Sequence, residues 1–181
     1  MTRIHPIALE TAPARTQQQL QAVGKQLGMI PNLMKTMANS PSVLTAYLGF
    51  SAALAGDSLE PALREQLSVA VAQANHCDYC LSAHTAIGKS IGLTDGQLAA
   101  SRTGIGTDAK STAALKFALK VLETRGQVAD SDLAAVRAAG FNDAQVSEIV
   151  AHVALNVLTN YFNNVAGTEV DFPKVSYATA S

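Results

Sequence analysis

Apolar residues recur along this chain at spacings of three and four, and the strict apolar–polar alternation of a half-buried strand is absent. The clearest stripe is Ala114, Leu115, Ala118, Leu119 and Leu122, between Asp108 and Arg125, which reads as one buried helix face. Helix punctuation recurs around such stripes. Gln17 to Leu27 ends at Gly28. Ser40-Pro41 sets a capping residue before a first-turn proline and opens a helix to about Ala55, stopped by Gly56. Ser58 is expected to cap a helix from about Leu59 to Ala74, and the next helix begins near Cys77 and ends around Gly92. Thr94-x-x-Gln97 has the capping-box pattern for a further helix. Asp130 to Ala139 ends at Gly140, and Asn142 caps a last long helix through about Asn160 and beyond. The tail after Gly167, with Pro173, reads as irregular. The pattern predicts an all-α chain.

Composition sharpens this picture. The 181 residues suit one domain, and 48% hydrophobic residues suffice for a sizeable core. Charged residues make up 15%, against roughly 25% in average soluble domains. A chain so lightly charged is expected to hide surface in subunit contacts, as a homo-oligomer. The net charge is −1 and the basic residues are scattered, which argues against nucleic acid as a partner. No apolar run approaches the ~20 residues that span a bilayer, so no membrane partner is expected. The start, Met1-Thr-Arg-Ile-His-Pro, lacks the apolar core of a signal peptide, and a cytoplasmic location is expected.

Both cysteines of the chain sit in one segment, Cys77 and Cys80, spaced C-x-x-C. His84 follows one turn later and Glu65 precedes Cys77 by twelve positions. Cys77, Cys80 and His84 share the i, i+3, i+7 face of a helix. Asn75-His76 is a plausible break, which puts the thiols in a first turn, where free amides and the helix dipole favour a thiolate. His84 can take a thiol proton, and Glu65, on the preceding helix, can orient the imidazole and stabilise its protonated form. Asp78 reads as a first-turn anion. Competing readings are half of a zinc site with His76 or His84, or two inert core cysteines. The absence of a second C-x-x-C or an H-x3-H pair weighs against zinc, so no metal is expected. His152, four after Glu148, reads as a helix-surface or core histidine, and His5 carries no argument.

A weak internal repeat aligns Glu65, Cys77 and Cys80 without gaps on Glu148, Asn160 and Asn163. It reads either as coincidence between amphipathic helices or as a duplicated helix pair. In the second case the copy without thiols is expected to have structural duty only.

The glutamate, eleven residues, then C-x-x-C-x-x-x-H resembles the alkyl hydroperoxidase D-like part of the carboxymuconolactone decarboxylase family, with the preceding Asn75 kept. Leu27 to Leu33, Ser40-Pro41, Arg64-Glu65, Asn160 to Asn164 and Gly167 to Pro173 resemble its peroxidase-related subgroup, over nearly the whole chain. The resemblance implies one all-α domain of the AhpD-like fold over residues 1–181. Within it come an N-terminal helical arm (1–56), a CxxC-bearing core (57–110) and C-terminal helices (111–181). It implies dimers, trimers or hexamers. It also implies a redox pair, Cys77 and Cys80, served by a Glu65–His84 proton relay with no cofactor. One departure is Tyr79, where hydroperoxidase members often have histidine. Tyrosine cannot shuttle protons near neutral pH, so Tyr79 is expected to limit turnover rather than to serve the fold.

Together these readings predict a thiol oxidoreductase that reduces a small hydroperoxide or disulfide, recharged by a thiol electron donor. Helix position favours Cys77 as the attacker, proximity to His84 favours Cys80, and the resemblance leans to Cys80. The alternatives are a decarboxylase-like acid/base enzyme using His84 and Glu65, in which both cysteines are dispensable, and a non-enzymatic redox-sensing or zinc-holding oligomer.

Overall fold

The computed structural model describes residues 1–56 and 58–178. Among the described residues there are nine α-helices and no strand, as the periodicity predicts. They are α1 (Ala14–Leu27), α2 (Asn32–Met37), α3 (Pro41–Ala55), α4 (Pro61–Ala74), α5 (Asp78–Ser90), α6 (Asp95–Ser101), α7 (Ala109–Thr124), α8 (Asp130–Ala138) and α9 (Asp143–Ala166). A 3-10 turn, Leu9–Thr11, precedes α1.

Most ends follow the local chemistry. The Thr94/Gln97 and Asn142/Gln145 capping boxes form, and Asp108 caps α7 through the Ser111 amide. Gly28 closes α1 at φ 73°, a left-handed position that favours glycine. Two features depart from the local pattern. Ser58 caps nothing, because α4 starts at Pro61. Its amide and hydroxyl instead donate to the Glu148 carboxylate, the hydroxyl at 2.6 Å. The second is α2, a six-residue helix too short for a periodicity to show.

Helix α4 is the hub and packs against α5, α6, α7 and α9. Leu67, Val69, Ala70, Val71 and Ala72 are all fully buried, so this helix is covered nearly all round. One side of it joins a core with Leu115, Ala118, Ile149 and Val153 from α7 and α9. The other joins a second core with Leu20, Met37, Leu44, Leu81 and both cysteines. Chain segments that look irregular in sequence are tied down over this second core. The Asn32 amide donates to Asp171 at 2.7 Å. The Val175 and Tyr177 amides donate to Ser82 and Asp78, each at 2.9 Å. No helix among the described residues is long and apolar enough to cross a membrane.

Candidate functional site

The site begins at the break between α4 and α5. The His76 amide donates to Gln73 and the Cys77 amide to Ala72, the paired bonds of a Schellman turn. The left-handed position falls on His76, at φ 53°, whose ring stacks on Tyr177 at 4.7 Å. The turn sets Cys77 as the N-cap of α5, and its sulfur accepts the Cys80 amide at 3.2 Å, as a capping serine oxygen would. Cys77 and Cys80 are both free thiols, fully or almost fully buried, with their sulfurs 2.6 Å apart.

Glu65 projects from α4 and His84 from α5, and Nδ1 of the imidazole meets the carboxylate at 2.8 Å. Their side chains are 17% and 25% exposed, so water screens the pair only in part. Burial opposes charge on His84. The Glu65 carboxylate, by charge and hydrogen bond, and then Cys80 outweigh it and raise the His84 pKa. The two thiols are pushed apart. Cys77 donates to the Cys80 sulfur, and that bond and its burial raise its pKa strongly. Burial also works against a Cys80 thiolate. Hydrogen bonds from Cys77 and Asn163, the His84 charge and then the nearby Asn160 amide prevail and lower the Cys80 pKa to about 7. These surroundings favour charge on Cys80 rather than on Cys77.

Several neighbours escaped the sequence reading. Asn163 donates to the Cys80 sulfur at 3.2 Å, and Asn160 accepts from Asn75 at 2.9 Å. The gapless alignment of the two glutamate segments carried this signal, with the asparagines opposite the cysteines. Asn163 thus does more than pack α9: it touches the Cys80 sulfur. Glu148, which aligns on Glu65, holds Ser58. Tyr47 on α3 faces the site with its pKa pushed up to about 12, by burial first and then by Cys80. Nothing in the sequence marked it.

Other sequence expectations resolve plainly. Asp78 clamps the tail through the Tyr177 amide. His152 is buried on α9, and with Tyr47, Glu65, Ser68, His84 and Asn156 it lines a cleft of about 190 Å³. Larger hollows, such as one of about 560 Å³ between α7 and α8, include none of the four predicted residues. Among the described residues no three His, Cys, Asp or Glu side chains are grouped to hold a metal ion.

Tyr79 does serve the fold, contrary to the expectation. It is 4% exposed, its hydroxyl accepts the Leu33 amide at 3.1 Å, and its ring meets Phe172 edge-on. It pins the start of α2 to α5. Tyr79→Phe leaves the Leu33 amide without its acceptor and is expected to cost ~1–3 kcal/mol. At roughly 2–4 °C per kcal/mol for a chain of this size, Tm falls by several degrees while thiol reactivity stays unchanged. Calorimetry and alkylation kinetics on the same preparation check this. An unchanged Tm rejects the pinning role.

The sequence profile of the carboxymuconolactone decarboxylase family matches residues 41–124, which contain Glu65, Cys77, Cys80 and His84. No curated protein matches the chain. Among solved structures, the chain is similar to the alkylhydroperoxidase AhpD core of an uncharacterized peroxidase-related protein from Ralstonia eutropha JMP134, at 30% identity, 94% of each chain and a TM-score of 0.82. An uncharacterized peroxidase-related protein from Silicibacter sp. TM1040 matches at 24% identity, 92% of each chain and a TM-score of 0.82. A debrominase matches at 19% identity, over 94% of this chain and 93% of that one, with a TM-score of 0.78. The last two likenesses show the fold alone.

Proposed function

This chain belongs to the carboxymuconolactone decarboxylase family, and we propose that within it the protein is a thiol peroxidase in which Cys80 attacks, Cys77 resolves, and Glu65 and His84 move the proton. The observation that carries this reading is the pair of sulfurs 2.6 Å apart beside a carboxylate–imidazole pair at 2.8 Å.

The Cys80 thiolate attacks the terminal oxygen of a hydroperoxide. An S–O bond forms, the O–O bond breaks, and the leaving alkoxide takes the proton of the His84 imidazolium. Cys80 is then a sulfenic acid. Cys77 attacks its sulfur, the S–S bond forms, the S–O bond breaks, and the hydroxyl leaves as water with the Cys77 proton. One hydroperoxide becomes alcohol and water, and two thiols become one disulfide. A thiol donor reduces that disulfide by exchange, which suits a reducing, cytoplasmic setting. A small disulfide substrate would follow the same course, through a mixed disulfide in place of the sulfenic acid. The test is hydroperoxide consumption with a dithiol donor, alongside a thiol count before and after one equivalent of hydroperoxide. Two thiols are expected to fall to none. Two persisting thiols, under conditions that oxidise a control dithiol, overturn the reading.

A homo-oligomer belongs to the same proposal. Val150, Ala154, Leu158, Tyr161 and Val165 form an exposed stripe along α9, at spacings of three and four, with Tyr161 55% and Val165 62% exposed. Uncharged α3 packs beside it. Apolar surface of this extent on a lightly charged chain favours self-association. Light scattering at micromolar concentration is expected to give a multiple of 18.8 kDa, reduced by Leu158→Lys. A wild-type monomer rejects it.

A further inference from the structure

We propose that Asn163 and Asn160 form an amide cradle that receives the negative charge of the Cys80 sulfur, with Asn75 as the positioning residue that aims Asn160. The inference rests on the reading of Cys80 as the attacking thiol and adds residues to it.

Helix α9 buries Asn156, Asn160 and Asn163 among Ile149, Val153 and Ala166. Asn160 is fully buried and Asn163 is 3% exposed. Carboxamides so deep in an apolar core are costly unless their hydrogen bonds are met. Asn163 meets one by donating to the Cys80 sulfur at 3.2 Å. Asn160 is aimed by its other end. Its carbonyl oxygen accepts from Asn75 Nδ2 at 2.9 Å, so the amide nitrogen must point the opposite way. Asn75 is held in turn, because its backbone carbonyl accepts from Asn164 Nδ2 at 2.9 Å. The Asn160 nitrogen is buried and has no hydrogen-bond partner in the thiol form.

A buried donor without an acceptor in one state of a site is a donor kept for another state. The state that supplies an acceptor here is the thiolate, which gains charge at the atom Asn163 already touches. Both asparagines favour the charged form of Cys80, in the same direction as His84. Leucine would fill either position without an orphaned amide, so packing alone does not explain the asparagines. The alignment that puts Asn160 and Asn163 opposite Cys77 and Cys80 describes two helical segments that meet at the sulfur.

The groups facing Cys80 are Cys77 and His84 from its own side, Asn160 and Asn163 from α9, and Tyr47 from α3. The test measures the pH dependence of iodoacetamide alkylation at Cys80, identified by peptide mass, in reduced wild type, Asn163→Ala, Asn160→Ala and Asn75→Ala. Asn163→Ala is expected to raise the midpoint by about one pH unit. Alkylation below both midpoints then slows roughly tenfold, while the rates converge at alkaline pH. Asn160→Ala shifts the midpoint the same way, and Asn75→Ala does so by less. Asn75 is only partly buried, so its variant carries the test if a deeper one does not fold. A merely structural role lowers Tm and leaves every midpoint at the wild-type value, which overturns the cradle and leaves the thiol reading standing. A wild-type Cys80 that titrates as an ordinary thiol overturns both.

Discussion

Cys80→Ser is expected to abolish hydroperoxide turnover, and Cys77→Ser to leave one stoichiometric oxidation without turnover. The asymmetry follows from the two sulfur environments. Cys80 has its pKa lowered by its hydrogen bonds and by His84, which makes its thiolate available near neutral pH. A serine hydroxyl in its place ionises far too weakly to attack. Cys77 keeps its proton, which it donates to Cys80, and contributes only after the sulfenic acid exists. Without it the oxidised Cys80 has no resolving thiol, since the chain has no third cysteine. Wild type should therefore lose both thiols intramolecularly, with no dimer-sized mass. Cys77→Ser should add one oxygen, and Cys80→Ser should stay reduced. Mass spectrometry after one equivalent of hydroperoxide distinguishes these states. A Cys80→Ser protein that still forms a sulfenic acid at the wild-type rate would reverse the two roles. Turnover retained in both variants would point to the acid/base alternative with dispensable cysteines.

Glu65→Gln is expected to slow the thiol reaction at neutral pH by about ten-fold or more; general acid–base steps contribute roughly 10²–10⁴-fold, and His84 itself stays in place. Glutamine keeps the size and much of the hydrogen bonding but removes the anion. The carboxylate 2.8 Å from His84 is what raises the imidazole pKa against its burial. Without that carboxylate His84 loses its proton at lower pH. Cys80 then loses a neighbouring cation, so its pKa rises. The alkoxide loses its proton donor as well. The sign of the pH dependence follows. In wild type, activity rises as Cys80 deprotonates through about pH 7 and falls at higher pH as His84 deprotonates. These limbs belong to the coupled pair rather than to either residue alone. In Glu65→Gln the acid limb moves up, the alkaline limb moves down, and the bell narrows. The pH profile of kcat/KM and the alkylation midpoint measure both shifts. A variant with a changed Tm but an unchanged midpoint and rate would reduce Glu65 to an interhelix contact.

Local signals were enough for the helices and for the four-residue constellation. Capping residues, Gly28 and the i, i+3, i+4 stripes act within a turn or two, so α1, α3 and α5 to α9 could be read with ends correct to a few residues. The spacing from Cys77 to His84 is likewise local and shows on any helix. Ser58 misled because a capping residue type is only one of several bonds open to a hydroxyl, and Glu148, ninety positions away, took it. Tyr79 misled because its chemistry was read as an isolated side chain, while its hydroxyl meets an amide on another helix.

The sequence by itself therefore determined the all-α class and the shared helix face of Cys77, Cys80 and His84, because each depends on spacing within a helix or a turn. Only the tertiary structure brought Glu65 onto His84 and gave the two sulfurs different surroundings. Asn163 and Asn160 come from α9, and Glu65 reaches His84 from α4. A pKa is set by burial and by charges and donors within a few ångströms, whatever their distance along the chain.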